Sequence, residues 1–411
     1  MKTQRYRSPI IRLRIRGGLA LDPVELSRFI KEEALRIGFA SAGVTTPDAP
    51  PHLDVYREWI AAGRQGEMGY LASDDAIRRR ASPGELLPGC RSILVLAAPY
   101  DPPRHAPDSP RVAAYAVGQD YHEVLLEKMR ALVHSLEEKL GTSVRHRMYT
   151  DTGPILERDL AQRAGLGWIG KNTCLIDPHQ CSYLLLAEVL LDLPLAADRP
   201  FLDDRCGTCT RCLEACPTQC IRPDRTIDAT RCISYLTIET KTGIDLPLRG
   251  DVGPWLFGCD VCQEVCPWNV RFSPSSGDTR FSARPFLDPP VLESFLTLEA
   301  DAYPIRLAHS PLKRARRRGL VRNAAVVAGN LARPENVPSL AALLEDQDAV
   351  IRAHAAWALG VIGNADARAA LESRLPIEED SQVASEVQAA LDSIDKNEVI
   401  TRFPRGEGGN G

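Results

Sequence analysis

Apolar residues recur with a helical period between Pro23 and Ile37, at Leu26, Phe29, Ile30, Ala34 and Leu35, and Gly38 closes the stretch. This spacing predicts an amphipathic helix. Ser92–Tyr100 (SILVLAAPY) breaks the period with a continuous apolar run, the signature of a strand buried on both faces. Tyr121–Leu140 returns to the helical period and stops at Gly141, while Tyr183–Leu195 (YLLLAEVLLDLPL) reads as a buried strand pair or a strand with its turn. Pro154–Ala164 reads as a helix opened by proline and ended by Gly165. Alternation of helix and buried strand predicts one α/β domain over residues 22–195.

The pattern near the C-terminus repeats. Val321–Leu331 (VRNAAVVAGNL) recurs as Ile351–Val361 (IRAHAAWALGV), 30 residues on. Each copy is followed by a second helical stretch, Val337–Leu344 and Ala365–Leu375, and Val383–Ile394 reads as a degenerate third copy. Helix pairs at this period stack into a short solenoid of HEAT type, because one pair alone cannot bury its apolar face. The helical region is expected over residues 276–398, entered through a proline-rich connection at 276–300.

Between these regions, residues 196–275 lack strong periodicity but hold nine of the twelve cysteines. Cys206, Cys209, Cys212 and Cys216 read C-x2-C-x2-C-x3-C, followed by Pro217; Cys259, Cys262 and Cys266 read C-x2-C-x3-C, followed by Pro267. The first run has the spacing of a bacterial two-cluster ferredoxin, in which three cysteines hold one 4Fe–4S cluster and the fourth crosses to the other. By the same rule the second run is one ligand short, and Cys232 is the candidate to complete it. The expected sets are Cys206, Cys209, Cys212 and Cys266 for one cluster, and Cys216, Cys232, Cys259 and Cys262 for the other. Zinc would need two C-x2-C pairs, and disulfides a secreted chain. Cys220 fits neither set and reads as a small buried residue.

A net charge of −4 confines any nucleic-acid binding to a local patch. Lys313, Arg314, Arg316, Arg317 and Arg318 form that patch directly before the repeat. The basic segment Met1–Gly18 has no apolar run long enough for a signal peptide, and no stretch approaches a membrane span. Residues 1–21 and 399–411 are expected to be disordered, and the chain to be cytoplasmic, where thiolates stay reduced. Gly165–Gly170 (GLGWIG) matches G-x-G-x-x-G but follows a helix instead of a strand, against a nicotinamide site; its glycines are expected to let the backbone approach a flat ligand. Asp151 reads either as an N-cap of the following helix or as a proton donor at a strand end. Asp120-Tyr121-His122 poses the same choice between structure and acid–base chemistry.

Taken together, these residues resemble the epoxyqueuosine reductases. The resemblance is carried by Gly66–Leu71 (GEMGYL), Arg80–Pro83 (RASP), Gly118–His122 (GQDYH), Asp151–Pro154 (DTGP), Gly165–Asn172 (GLGWIGKN), both cysteine runs, Arg231–Thr237 (RCISYLT) and Arg322–Ala325 (RNAA). It implies that the α/β domain binds cobalamin against the cluster module, with Arg80, Asn172, Ser234 and Asp260 toward the corrin. It also implies that Asp151 is the catalytic acid, with a pKa raised so that it is protonated near neutrality. The reaction would reduce epoxyqueuosine to queuosine in the anticodon loop of a tRNA, on a monomeric enzyme fed by a low-potential donor such as a flavodoxin or ferredoxin. Some members carry a cysteine near the corrin where this chain has Val112–Tyr115 (VAAY). Two other classes compete: a corrinoid reductive dehalogenase, which would usually bring an export signal and no helical-repeat tail, and a ferredoxin-like carrier, which would not need residues 22–195.

Overall fold

The computed structural model describes residues 13–14, 20–102, 105–272 and 277–396. The C-terminal tail expected at 399–411 lies outside them. So does the N-terminal extension, apart from Leu13–Arg14 and Ala20–Leu21, which pair antiparallel.

Asp22 caps the first helix, Pro23–Ile37, by accepting the Val24 N–H, and Gly38 ends it at φ 97°. The sheet of this domain has four strands in the order Ser41–Thr45, Ser92–Pro99, Leu184–Leu191, His146–Tyr149. Every neighbouring pair is antiparallel. The domain is therefore built on an antiparallel sheet rather than the parallel one an α/β reading implies; local apolar pattern does not encode strand direction. Ser92–Pro99 is buried at every position because both faces of the sheet are covered. Leu94, Leu96 and Ala98 pack on the Pro23–Ile37 and Tyr121–Leu140 helices, through Leu26, Ile30, Leu125 and Met129. Ile93, Val95 and Ala97 face Ile155, Leu160 and Ala161 on the other side. Tyr183–Leu195 holds one strand and its turn, not a pair.

Two local expectations change. The helix after Asp151 begins at Glu157, and its N-cap position, Leu156, makes no side-chain cap, so Asp151 is not the cap. The G-x-G-x-x-G segment forms a hairpin in which Trp168–Ile169 pairs with Leu175–Ile176. A Cβ on Gly167 would lie 2.1 Å from the Ile176 carbonyl oxygen. That glycine admits a neighbouring strand, not a flat ligand.

The cysteine-rich region consists of short helices, among them Arg211–Glu214, Ile233–Ile238 and Val261–Glu264. Its strand Trp255–Phe257 pairs in parallel with Arg111–Val112 of the first domain. One apolar core runs from this strand into the helical repeat. The repeat comprises Arg316–Leu331, Val337–Leu343, Ala349–Ile362, Ala365–Arg374 and Ser381–Asp395. Gly329 and Gly360 face Ala358 and Ala390 of the next helices closely enough that a Cβ would clash, which sets the stacking distance. Arg322 and Asn323 join repeat to module. The Arg322 guanidinium donates to the carbonyls of Leu236, Thr240 and Thr242, and Asn323 Nδ2 donates to those of Thr237 and Leu256.

Candidate active site

The long helix Tyr121–Leu140 starts with Asp120 as its N-cap, and this start organises the site. Asp120 is 1% exposed; Oδ1 lies 2.7 Å from His122 Nδ1, and Oδ2 lies 2.7 Å from Lys313 Nζ. His122 Nε2 in turn faces Asp151 Oδ2 at 3.5 Å, an ion-pair distance longer than a formed hydrogen bond. The imidazole thus stands between two carboxylates. Its rings stack with Tyr121 at 4.1 Å, and the Tyr121 hydroxyl also faces Asp151. Arg314 completes the rim, paired with Glu239 at 2.8 Å and lying 5.6 Å over the Tyr70 ring.

These placements fix the charge states. Burial pulls the His122 pKa down, but the two carboxylates outweigh it and bring it to about 9. At neutral pH His122 is an imidazolium, bonded through Nδ1 to Asp120 and facing the Asp151 carboxylate with Nε2. Burial is the largest single influence and pushes the Asp151 carboxyl up, but His122, Tyr121 and Arg314 together outweigh it; the net direction is down. This corrects the expectation of a raised pKa for Asp151. The proton expected on the acid sits on its partner, because a cation faces it.

Asp151 also has φ 58°, a left-handed backbone, and its N–H donates to Glu157 Oε1 at 2.5 Å. Glu157 is in contact with Glu188, a fully buried glutamate on the central strand Leu184–Leu191. Neither glutamate stood out in the sequence; a lone Glu188 within an apolar strand was the signal available.

The cysteines divide in space into two groups. Cys212 has Cys206, Cys209 and Cys266 as its neighbours. Cys259 lies beside Cys216 and Cys232, and Cys262 beside Cys259 and Cys232. Trp168 Nε1 approaches Cys206 Sγ at 3.4 Å. Cys220 Sγ is 3.5 Å from Cys216 Sγ, too close for both to bind one cluster through different irons, and it also touches Cys232. Cys174, unremarked in the sequence, touches Cys262.

Asn172 and Asp260 flank the second cysteine group. Asn172 Nδ2 donates to the Cys262 carbonyl at 3.3 Å; Asp260, 1% exposed, accepts the Ala114 N–H at 2.7 Å, and its burial lifts its pKa to about 7. Ser234 is half-buried on the Ile233–Ile238 helix. Arg80 lies apart from these three, buried, with its guanidinium on the Ala76 carbonyl and over the Tyr56 ring. Between the cysteines and Asp151 stands a wall of aromatic rings, Tyr183, Tyr100, Tyr115 and Tyr121, each in edge contact with the next. Gly66 presses on this junction from the first domain, where a Cβ would meet the Tyr235 hydroxyl at 2.4 Å. Two clefts, of about 300 and 440 Å³, are not lined by Asp151; the larger lies against Tyr183, at the end of the wall away from Asp151.

The basic run is divided. Lys313 and Arg314 belong to the site rim. Arg317, half-buried, is spent on the Leu298 carbonyl and Asp346, and Arg318 pairs with Asp348 but stays exposed. Arg316 is exposed at φ 58°. Arg317 therefore does not present the free charge expected of it.

Family models match three stretches: one for a 4Fe-4S double cluster binding domain at residues 205–269, one for epoxyqueuosine reductase QueG at 80–152, and one for HEAT repeats at 312–392. The chain is 37% identical to an epoxyqueuosine reductase of Pseudomonas aeruginosa over 82% of this chain and 95% of the relative. It is 36% identical to one of Xanthomonas campestris, over 83% and 98%. A crystal structure of an epoxyqueuosine reductase with an epoxyqueuosine-modified tRNA-Tyr stem loop superposes with a TM-score of 0.82 at 30% identity, covering 90% of this chain and 99% of that one. A Bacillus subtilis epoxyqueuosine reductase, described with its catalytic loop swung out of the active site, gives 0.80 at 30% identity over 90% and 98%.

The imidazolium makes a pH prediction. The raised pKa of His122 contributes stability that is complete below about 6.5 and is lost as pH rises through about 9. Asp120→Asn removes one of the two anions holding the proton. NMR titration of His122 should show its midpoint falling toward the ordinary histidine value; a midpoint unmoved by the substitution would mean that Asp120 is not the partner that sets it.

Proposed function

The chain belongs to the epoxyqueuosine reductase family, and on that premise we propose that it reduces epoxyqueuosine to queuosine in tRNA, with Asp151 and His122 as the proton-delivering pair. The observation that carries this reading is the alignment Asp120–His122–Asp151 at the junction of the sheet domain, the cysteine module and the basic run.

The residues fit the implied cofactors. Eight thiols in two groups are the donor set that two 4Fe–4S clusters need, with Cys206, Cys209, Cys212 and Cys266 around one and Cys216, Cys232, Cys259 and Cys262 around the other. Cobalamin suits the tyrosine wall and its buried polar rim: Asp260, Asn172, Ser234 and the unpartnered Gln65 Oε1 can meet the amide edge of a corrin, with Arg80 farther out. Bound there, cobalamin would supply the nucleophilic metal centre, and the clusters the single electrons that reduce it, drawn from a donor of flavodoxin or ferredoxin type.

The protein's share is proton handling. His122 holds a proton at neutral pH with Asp120 behind it. As negative charge develops on the opening epoxide, the proton passes from His122 to Asp151 and on to the substrate, which leaves a neutral imidazole beside an anionic Asp151; the pair goes from net zero to one negative charge and regains its proton from solvent. Lys313 steadies Asp120 as the imidazole becomes neutral. Arg314, Arg316 and Arg318 would hold the phosphates of the anticodon arm while its unstacked base enters the site. The related enzyme with a bound tRNA stem loop supports this reading. So does the fact that four of the five basic residues remain exposed. We place the enzyme in the cytoplasm as a monomer; among the described residues no helix is long and apolar enough to cross a membrane.

Asp151→Asn keeps the shape of the side chain and removes its capacity to take a proton from His122 and pass it on. Turnover of epoxyqueuosine-containing tRNA should fall by at least 100-fold, in line with general acid catalysis, with iron content and the corrin spectrum unchanged; near wild-type turnover would strip Asp151 of its role. Reconstituted enzyme should hold about eight irons. Cys232→Ser should lose one cluster, whereas Cys220→Ser keeps both, and the opposite pattern of iron loss would reassign the fourth ligand. Replacing Arg316 and Arg318 with glutamine should weaken tRNA binding and flatten its salt dependence. Arg317→Gln should instead lower stability, because it strips Asp346 of its partner. Equal salt slopes for wild type and the double variant would return the run to a solvated face.

A further inference from the structure

We propose that Glu157, backed by the buried Glu188, is the positioning residue that holds Asp151 against His122. This rests on the reading of Asp151 as the proton donor and adds the means by which it is kept in place.

The loop that carries Asp151 is not held by regular structure. It leaves the strand His146–Tyr149, passes Asp151 in the left-handed region, and enters a helix with no side-chain cap. A left-handed aspartate relaxes to other backbone conformations unless something opposes it. What opposes it is the charge-assisted bond from the Asp151 N–H to Glu157 Oε1, at 2.5 Å. Glu157 opens the helix whose Leu160 and Ala161 are fully buried under the sheet, so its backbone is anchored.

Glu188 explains why Glu157 stays in place. It sits opposite Val95 and Tyr149 in the centre of the sheet, 0% exposed, and no hydrogen-bond donor reaches either of its oxygens. A carboxyl in such a place is costly unless it carries a proton or shares one. Glu157, half-buried, faces the fully buried Glu188, and two carboxyls in contact with one of them in the sheet core do not both ionise. The other groups facing the pair are Asp151 from its loop and Arg158 from the same helix, with the Tyr121 hydroxyl beyond Asp151. Arg158 is exposed and bonded to the Thr173 carbonyl, so it does not neutralise both carboxyls. The proton therefore stays on Glu188, which donates it to Glu157, and Glu157 remains the anion that the Asp151 amide binds. Burial and the neighbouring anions raise Glu157 to about 7 and Glu188 above it, consistent with one proton on the pair near neutrality. When that proton leaves in alkali, two charges repel in the core and Glu157 is driven off the amide.

Hydrogen–deuterium exchange of the full-length protein without substrate reads the contact directly, in peptides covering residues 148–156. Glu157→Ala should raise exchange at the Asp151 amide at least 10-fold. Glu157→Gln, which keeps an acceptor but not the charge, should give a smaller rise. Peptides from Ser92–Pro99 should be unchanged in both, which separates release of the loop from loss of fold. Glu188→Gln can still donate to Glu157 and has no proton to lose, so protection at neutral pH should survive and the alkaline loss expected of wild type should be absent. Single-turnover rates with pre-reduced enzyme should fall about 10-fold in Glu157→Ala with little change in tRNA affinity. Wild-type protection in Glu157→Ala, or an alkaline loss that persists in Glu188→Gln, overturns the proposal. Lost protection with undiminished turnover leaves the contact standing but overturns its positioning role, while the donor role of Asp151 is decided separately by the turnover of Asp151→Asn.

Discussion

The architecture depends on one buried cation. Arg322 is 1% exposed and, among the described residues, forms no salt bridge; burial draws its pKa down to about 10, against a weaker opposing pull from Glu67, and it is still charged at any physiological pH. Its charge is met by three backbone carbonyls at the end of the Ile233–Ile238 helix and just beyond. Helices end with unsatisfied carbonyls, and a guanidinium with five donors in a fixed fork can satisfy several at once. The adjacent Asn323 does the same for Thr237 and Leu256. The repeat thus fixes the helix that carries Ser234 and follows Cys232, and the strand that leads to Cys259. Hydrogen bonds to a charged group contribute roughly 1.5–3 kcal/mol each, so losing this residue would free both cysteine-bearing segments together.

A second dependence follows at the site. Lys313 and Arg314 lie at the entrance to the same repeat, and they reach Asp120 and Glu239 only because Arg322 holds the repeat against the module. The charge state of His122 is therefore a tertiary property. Asp120 alone is a helix cap; with Lys313 beside it, it stays ionised and keeps the imidazole protonated. Asp151 then needs no raised pKa of its own, since the imidazolium 3.5 Å away carries the proton.

How much of this was legible in the sequence depends on the range of the interaction. The cysteine runs, the helices ended by Gly38 and Gly141, and the 30-residue repeat are local patterns, and all three appear where the sequence places them. Asp151, Asp120 and His122 were visible as candidates because polar residues cluster where apolar periods stop. Their connection was not, since Lys313 meets Asp120 across nearly half the chain. The antiparallel sheet escaped for the same reason: a strand buried on both faces has the same run of apolar residues in either direction. The Gly167 reading failed because a glycine reports only that something comes close, and here that is the Ile176 carbonyl. The basic run looked uniform as sequence, yet its neighbours divide it into rim, support and free charge.

The tyrosine wall gives these parts a common logic. Tyr183, Tyr100, Tyr115 and Tyr121 form a continuous apolar partition, and burial raises the pKa of each, so none ionises across it. Toward one end the Tyr100 hydroxyl meets Gln263, next to Cys262, with Tyr183 beyond it; at the other end, Tyr121 stacks on His122. In the proposed reaction electrons come from the cysteine side and protons from the histidine side. The proton held on the imidazolium at the His122 end of this non-titrating row faces Asp151, the carboxylate nearer the open edge. Separation of the two supplies thus follows from where the chain puts its aromatic residues, and it requires that the acid be set at the open edge of the site, where Asp151 stands.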